Sequence, residues 1–517
     1  MRANAVIVAA ALAAGVFAAP AAADVLPDRA QAVSLLETGG PGVARAAEAA
    51  LLGTPADLQA FLATGRQRAQ DDDERVLVTQ AMTTGGPATK RAAQQALSGT
   101  QADVREFLAH GLAQARIADD RIAVGQAMSA GGATVNAAAQ KALDGTPGDV
   151  RAFLETGLQQ AKNTDERIAA DQALAAGGPE VQAAAQTALD GTPDDVRYFL
   201  SLWRKVAADG DAELAAVKFQ VDFAKAAAAR HSAIGVNLAR SRATTLASDA
   251  RTVNTNRLAA QRAKGQQDAG AALNAEAAAQ QAAKDAAARA AQAEADNDKL
   301  LADAADPALT VPNGRRASVY LLRNGGSAVK NAARAALSGS DDDVVTFVRT
   351  GLAVAQESDD RAAVAAIAAD PKARPGLRQA ARDALAGPYA GVAALLRTGD
   401  YPGRDTDDRV EVNQLMAAGG PSTKSAAQKA LDGTVADVRE FLAHGQYVAH
   451  LIDLRVKVAQ SLSAGGPEVD AVGQGVLDGP DSGLQPYLDN DLPRARARDA
   501  FTAAHVAKVN ALLAQLP

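Results

Sequence analysis

The stretch DDDERVLVTQAMTTGGPATKRAAQQALSGTQADVREFLAHG, residues 71–111, decides the fold, because it is one copy of a pattern written eight times along the chain. Its opening carries an apolar stripe through Val76 and Met82 and reads as a helix, with acidic residues at its start favouring the positive end of the helix dipole. Gly85-Gly86-Pro87 breaks that helix: glycine tolerates a left-handed position after a helix, and proline suits the first turn of the next. A second helix ends at Gly99, the last residue of a Leu-x-Gly triplet. Thr100 and Asp103 then hold the first and fourth positions of a capping box, with Asp in place of Glu. They open a third helix that carries Val104, Phe107 and Leu108 and is expected to stop at Gly111.

The Leu-x-Gly glycine recurs at Gly53, Gly99, Gly145 and Gly191, then at Gly339, Gly387, Gly433 and Gly479, in steps of 46 residues with one step of 48. A period this long over eight copies predicts stacked helical modules rather than a globular enzyme core. Each copy places an arginine in its first helix: Arg29, Arg75, Arg121, Arg167, Arg315, Arg361, Arg409 and Arg455. An acid precedes it in six of them, Gly314 and Leu454 being the departures. These acid–arginine pairs read as a helix cap plus an ion pair between repeats; the alternative is a docking ladder for a partner. Leu51, Leu97, Leu143, Leu189, Leu337, Leu385, Leu431 and Leu477 recur before the glycines. Phe61, Phe107, Phe153, Phe199, Phe347 and Phe441 share one third-helix position, with Leu395 and Tyr487 substituting. Leucines and aromatics at fixed offsets are expected to form the core between neighbouring helices.

The resulting fold class is all-α: eight repeats in two sets of four, with no sheet. Residues 24–203 hold repeats one to four and 307–490 repeats five to eight. Residues 204–306 between them are rich in Ala, Gln, Lys, Arg and Asp and nearly free of proline. They read as a long antiparallel helical hairpin turning at the β-branched and Asn-rich run Thr252–Asn256, each arm of about 50 residues spanning about 75 Å; a disordered linker is the alternative. Trp203 and Asn490 replace the terminal glycine of repeats four and eight, which should release a helix from each set. Residues 491–517 form a C-terminal helix, the start of a second stalk segment. Its stripe of Phe501, Val506, Val509, Leu512, Leu513 and Leu516 is expected to pack on the proximal hairpin around Leu214 to Val221.

The eight units resemble the ALF repeats of secreted actinobacterial proteins, most closely in AAQQALSGTQADVREFLAHG (92–111) and AAQKALDGTVADVREFLAHG (426–445). Copy six departs most, with Asp370-Pro371 for Gly-Gly and Leu395 for Phe. The four-plus-four arrangement resembles the scaffold subunit of umbrella toxin particles. That resemblance implies repeats forming a curved or ring-like crown, coiled-coil segments forming a stalk, and secreted adaptor and lectin-like proteins docking on the repeats. Independently of the resemblance, the two ends of an antiparallel hairpin must lie close together, which is expected to bring repeat four beside repeat five at the base of the arm. The chain stops at Pro517 without the family's C-terminal toxin domain and with little of its second stalk segment.

Residues 1–23 read as a secretory signal peptide: Arg2, an apolar run from Ala5 to Ala19, and Ala21-Ala22-Ala23 before Asp24, with cleavage after Ala23. A secreted, extracellular protein follows, and no other apolar run is long enough to span a membrane. The net charge of -7, with acids and bases interspersed, gives no nucleic-acid footprint. There is no cysteine. His110 and His444 share one repeat position, and His231, His450 and His505 have no ligand spacing, so no metal site is assigned. No catalytic residue, cofactor or cofactor-binding residue is assigned either, and the partner-binding residues stay open. The expected function is a non-catalytic scaffold in an antibacterial particle. The alternative is a stand-alone secreted repeat protein binding a cell-wall or surface ligand.

Overall fold

A computed structural model describes residues 25–517; the signal-peptide reading lies outside them. Among the described residues every element is helical. Each repeat has a first, second and third helix, as in Arg66–Thr84, Pro87–Ser98 and Gln101–Glu106 of repeat two. The capping boxes form as expected. The Thr100 backbone N–H donates to Asp103 Oδ2 at 2.6 Å, and the same reciprocal box closes at Thr54, Thr146, Thr192, Ser340 and Thr434. All six repeated phenylalanines are buried.

The third helix does not stop at its glycine. It passes through one π-helical turn, Phe107–Gly111 in repeat two, straight into the first helix of the next repeat. Repeats one to five, seven and eight all do this, so Trp203 releases nothing that Gly111 holds back, and in repeat eight the glycine's place is taken by Asp491, one residue beyond Asn490. The glycine lies under the phenylalanine: a Cβ on Gly351 would meet Phe347 Cδ2 at 3.6 Å, an ordinary contact. Gly351→Ala is therefore expected to stabilise the protein by up to about 1 kcal/mol through helix propensity. Gly85→Ala is expected to destabilise it, because its methyl would fall 2.4 Å from Thr89 Cγ2 and 2.6 Å from the Ala81 carbonyl. Thermal unfolding of the two variants against the parent decides this, and equal losses would restore a terminating role for the repeat glycine. Only repeat six breaks the run: Tyr389–Thr398 ends at left-handed Gly399, and a loop leads through Gly403, φ 87°, to Arg404–Ala418.

The acidic residues also act differently from the sequence reading. Asp73 is not at a helix start but in the second turn of Arg66–Thr84. Its carboxylate accepts the Gly42 and Val43 N–H groups at 2.7 and 2.9 Å, capping the second helix of the preceding repeat. Asp165, Asp211, Asp359, Asp453 and Asp499 make the same clamp. This explains the second glycine of each Gly-Gly pair. Those glycines are extended, not left-handed, and a Cβ at Gly132 or Gly420 would fall 2.5–2.6 Å from the clamp carboxylate. The acid before each arginine works within its own repeat, not between repeats. Glu74 pairs with Arg105 of the third helix at 3.0 Å, while Arg409 donates to the Leu431 carbonyl at 2.8 Å, at the negative end of the second helix.

The chain divides into two compact units. The first holds residues up to Leu112 and Arg289–Pro402. In it repeat one packs on repeat five through a shared core of Val33, Leu36, Leu51, Phe61, Val319, Leu337 and Phe347. Arg334–Glu37 and Arg323–Glu48, at 2.6 and 2.7 Å, flank that core.

The second unit holds Ala113–Ala288 and Gly403–Pro517. The hairpin turns at Arg230-His231-Ser232, with His231 at φ 52°, and not at Thr252–Asn256. Its arms are 26 residues, Arg204–Ala229, and 71 residues, Ala233–Asp303. The β-branched and Asn-rich run costs only a few tenths of a kcal/mol per residue, too little to break a helix of that length. The real stop is local: the His231 and Ser232 N–H groups close back on the Ala228 and Ala227 carbonyls, and Ser232 Oγ accepts the Gly235 N–H. Arg204–Ala229 and the C-terminal helix Leu492–Leu513 each continue the repeat beyond its last glycine. Asp211 and Asp499 stand 46 residues after Asp165 and Asp453 and make the same clamp. Each helix is thus placed like the first helix of a further repeat, where the sequence reads residues 491–517 as the start of a second stalk segment. Val509 packs against Val217, Val221 and Ala247, on the expected stretch of the hairpin.

Candidate interaction surfaces

Two features stand out: a buried charged seam and an exposed repeated face. The seam lies in the second unit. Repeats four and eight alone carry Gly-Gly-Pro-Glu-Val, and their glutamates, Glu180 and Glu468, are each 1% exposed. The clamp aspartates Asp211 and Asp499 hold the backbone N–H groups of these two residues at 2.9 and 2.8 Å. That leaves both side chains directed at the C-terminal helix and the long helix. Glu180 takes Lys508 Nζ at 2.6 Å, with His505 Nδ1 3.9 Å away. Glu468 lies between Arg257 and Arg498, the latter at 3.3 Å.

Aromatic faces support the same arginines: Arg257 sits 5.8 Å over Trp203 and Arg498 4.6 Å over Tyr198, while Trp203 meets Phe501 edge-on at 5.4 Å. Arg494 reaches Asp195 at 2.6 Å. The C-terminal helix spends Arg494, Arg498, Phe501, His505 and Lys508 on one face, at helical spacing, and so stitches repeat four to repeat eight.

His505 Nε2 bonds Glu213 Oε2 at 2.9 Å. That bond, against the opposing effect of burial, holds the imidazole above its ordinary pKa. Beside it, a cavity of about 420 Å³ opens between Arg204–Ala229, the long helix and the C-terminal helix, walled by Val206, Val253, Phe501 and Val509. Gly210 makes room for the ring, since a Cβ there would sit 3.2 Å from Nδ1. Among the described residues no group of three or more His, Cys, Asp or Glu is placed to hold a metal ion. His110 and His444 lie exposed on third helices, each beside its own helix's glutamate.

The second feature is repeated. One residue after the conserved arginine stand Val76, Ile122, Ile168, Val410 and Val456, each 41–52% exposed. Four residues further on, and exposed beside them, stand Gln80, Gln126, Gln172, Gln414 and Gln460. The buried face of the same helices carries Val78, Val124, Ala170, Val412 and Val458, so packing does not account for the exposed pair. Repeats one, five and six lack it, with Ala30, Arg316 and Ala362 at the apolar position. The signal was present in the sequence as Arg-Val/Ile-x-x-x-Gln in five copies.

Six segments match the model of the ALF repeat, a family described as short repeats of unknown function: residues 29–69, 75–115, 121–161, 167–206, 315–355 and 409–449. The chain thus carries six ALF repeats, each match starting at the conserved arginine. Copies six and eight fall outside the match. Both lack the Thr/Ser capping box, having Pro388 and Pro480 at its first position, yet both keep the order of three helices. None of the curated proteins matches this chain. No helix among the described residues is long and apolar enough to cross a membrane.

Proposed function

We propose that this protein is a non-catalytic scaffold that holds several partner proteins at once on its repeats. One observation carries the reading: the same exposed aliphatic–glutamine pair recurs in five repeats, at one register, on helices whose opposite face is core. A surface repeated in this way suits multivalent binding, in which modest contacts add to high avidity. The charged groups of the seam are paired with one another, as a joint requires, and form no nucleophile–base–orienter constellation.

On the resemblance to umbrella toxin scaffolds, the partners are secreted adaptor and lectin-like proteins, the compartment is extracellular, and the repeats close into a crown. The packing of repeat one on repeat five, and of the C-terminal helix on repeat four, supports the crown. In the experiment, purified protein is mixed with proteins secreted by the same organism and fractionated by size exclusion, and is separately added to competing bacteria. A larger complex of defined composition, and no growth inhibition by the chain alone, are expected. Growth inhibition by the isolated chain, or no stable association, would overturn the scaffold reading.

A further inference from the structure

We propose that the exposed face of the first helices in repeats two, three, four, seven and eight binds an extended segment of a partner polypeptide through its main chain. The inference rests on the scaffold reading and names the chemistry of its partner. Seen down each helix, the face contains the first, fourth, fifth and eighth residues after the conserved arginine. In repeat three these are Ile122, Gly125, Gln126 and Ser129; in repeat eight they are Val456, Ala459, Gln460 and Ser463. All four positions are exposed in all five repeats.

Their chemistry excludes most occupants. The face carries no lysine or arginine, and Asp171 is its only charge, so it does not attract an anion or a nucleic acid. The residues flanking the glutamine are small, and nothing lies within 4 Å of a Cβ built on Gly125, so a main chain can approach closely. The glutamine amide presents one acceptor and two donors, which complements a peptide group offering one N–H and one C=O. The β-branched residue beside it offers apolar contact to a side chain of the same segment. Repeat two offers this contact in the first unit and repeats three, four, seven and eight offer it in the second, so an occupant that uses more than one helix of the second unit must itself repeat, as an extended peptide does.

The molecule also shows what the other choice looks like. In repeats one and five the fourth position is Val33 and Val319, 1% and 3% exposed, and that face is filled by packing of repeat one on repeat five. There the fifth position is Ser34 or Tyr320 rather than glutamine. Packed against an aliphatic helix surface, a glutamine amide would be left unsatisfied; against a peptide main chain it is satisfied. Repeat eight extends the apolar part of the face along its own helix, with exposed Val448 and Ile452 leading to Val456 at four-residue spacing. That helix should be the strongest single element.

The test uses the full chain and a phage-displayed library of random linear peptides. Selected peptides are measured against the parent, a variant with all five glutamines changed to alanine, Val456→Asp, and a control with Ala30→Asp and Ala362→Asp. The substitutions are on exposed positions, and circular dichroism verifies that each variant stays folded. Expected are peptides whose affinity falls at least about tenfold on the glutamine variant and on Val456→Asp, is unchanged on the control, and falls when their own backbone amides are N-methylated. No enriched peptides, equal binding to the glutamine variant, or indifference to N-methylation would overturn the proposal. A natural complex that persists in the glutamine variant would also overturn it while leaving the scaffold reading standing. Failure of the parent chain to form any natural complex is instead the failure of that reading.

Discussion

Glu468→Gln is expected to destabilise the second unit by about 3–5 kcal/mol, the usual cost of leaving buried charge without its partner. The parent carboxylate is buried and faces two guanidinium groups, Arg257 and Arg498, whose side chains are themselves 16% and 10% exposed. An amide of the same shape keeps the packing and removes the charge that compensates both. Arg257 keeps its bond to Asn254 Oδ1 at 2.8 Å and its place over Trp203, but neither neutralises it. Glu180→Gln should cost clearly less, because its cation, Lys508, is half exposed and can turn to water. Combining Glu468→Gln with Arg498→Met should recover part of the loss by removing one stranded cation. Urea unfolding followed by the emission of Trp203, the only tryptophan, reads the seam directly. A loss below about 1 kcal/mol for Glu468→Gln would mean that water reaches the carboxylate and that the seam is not a joint.

The elements that could be read from sequence are those whose cause is local. Gly-Gly-Pro ends one helix and begins the next, Thr100 with Asp103 closes a box four residues long, and the repeated phenylalanines mark a core face; each appears where the local rule puts it. Features whose cause is in the next repeat were misread. Asp73 looks like a helix-start acid because its true partners, the Gly42 and Val43 amides, lie 30 residues back across a repeat boundary. Gly111 looks like a stop because a π-turn leaves no propensity signature, only the small residue beneath the phenylalanine ring.

The hairpin turn escapes a propensity reading for a related reason: Arg230-His231-Ser232 stops the helix through backbone closure without a glycine, whereas the weak helix formers of 252–256 do not stop it. Two signals in the sequence do mark the seam. The 46-residue step runs on to Asp211 and Asp499, and Pro-Glu-Val occurs in repeats four and eight alone. Both mark the helices that end the two sets, and together they would have located the seam.

Acid should unfold the repeats by releasing their clamps, and Asp453 gives the scale. Burial by itself would raise its pKa, but the Thr423 hydroxyl at 2.7 Å and the Ser422 and Thr423 amides at 2.7 and 3.0 Å outweigh it and hold the carboxyl at about 2, against an ordinary 3.8. A depressed folded-state pKa means that the stabilisation is complete above the unfolded value and disappears as pH falls through the folded one. For Asp453, 4% exposed, that is about 2 kcal/mol present above pH 4 and lost toward pH 2. Asp165 is shifted the same way: its amide bonds from Val135 and Thr134 overcome burial.

Far-UV circular dichroism should therefore show a helix-to-coil transition beginning below pH 4. Asp453→Asn should cost about 2 kcal/mol at neutral pH, and the difference from the parent should narrow as pH falls below 4 and close only below pH 2, once the folded carboxyl is itself protonated. His505 sets the opposite flank. Its pKa is raised by Glu213, with Glu180 adding to the pull and Lys508 opposing it, so its contribution is complete below 6.5 and is lost as pH rises through the folded value. The second unit should then be most stable between about pH 4 and 6.5. His505→Gln should flatten the alkaline slope and leave the acid one untouched, whereas an acid slope that moved with His505 would place the proton uptake in the seam and not in the clamps.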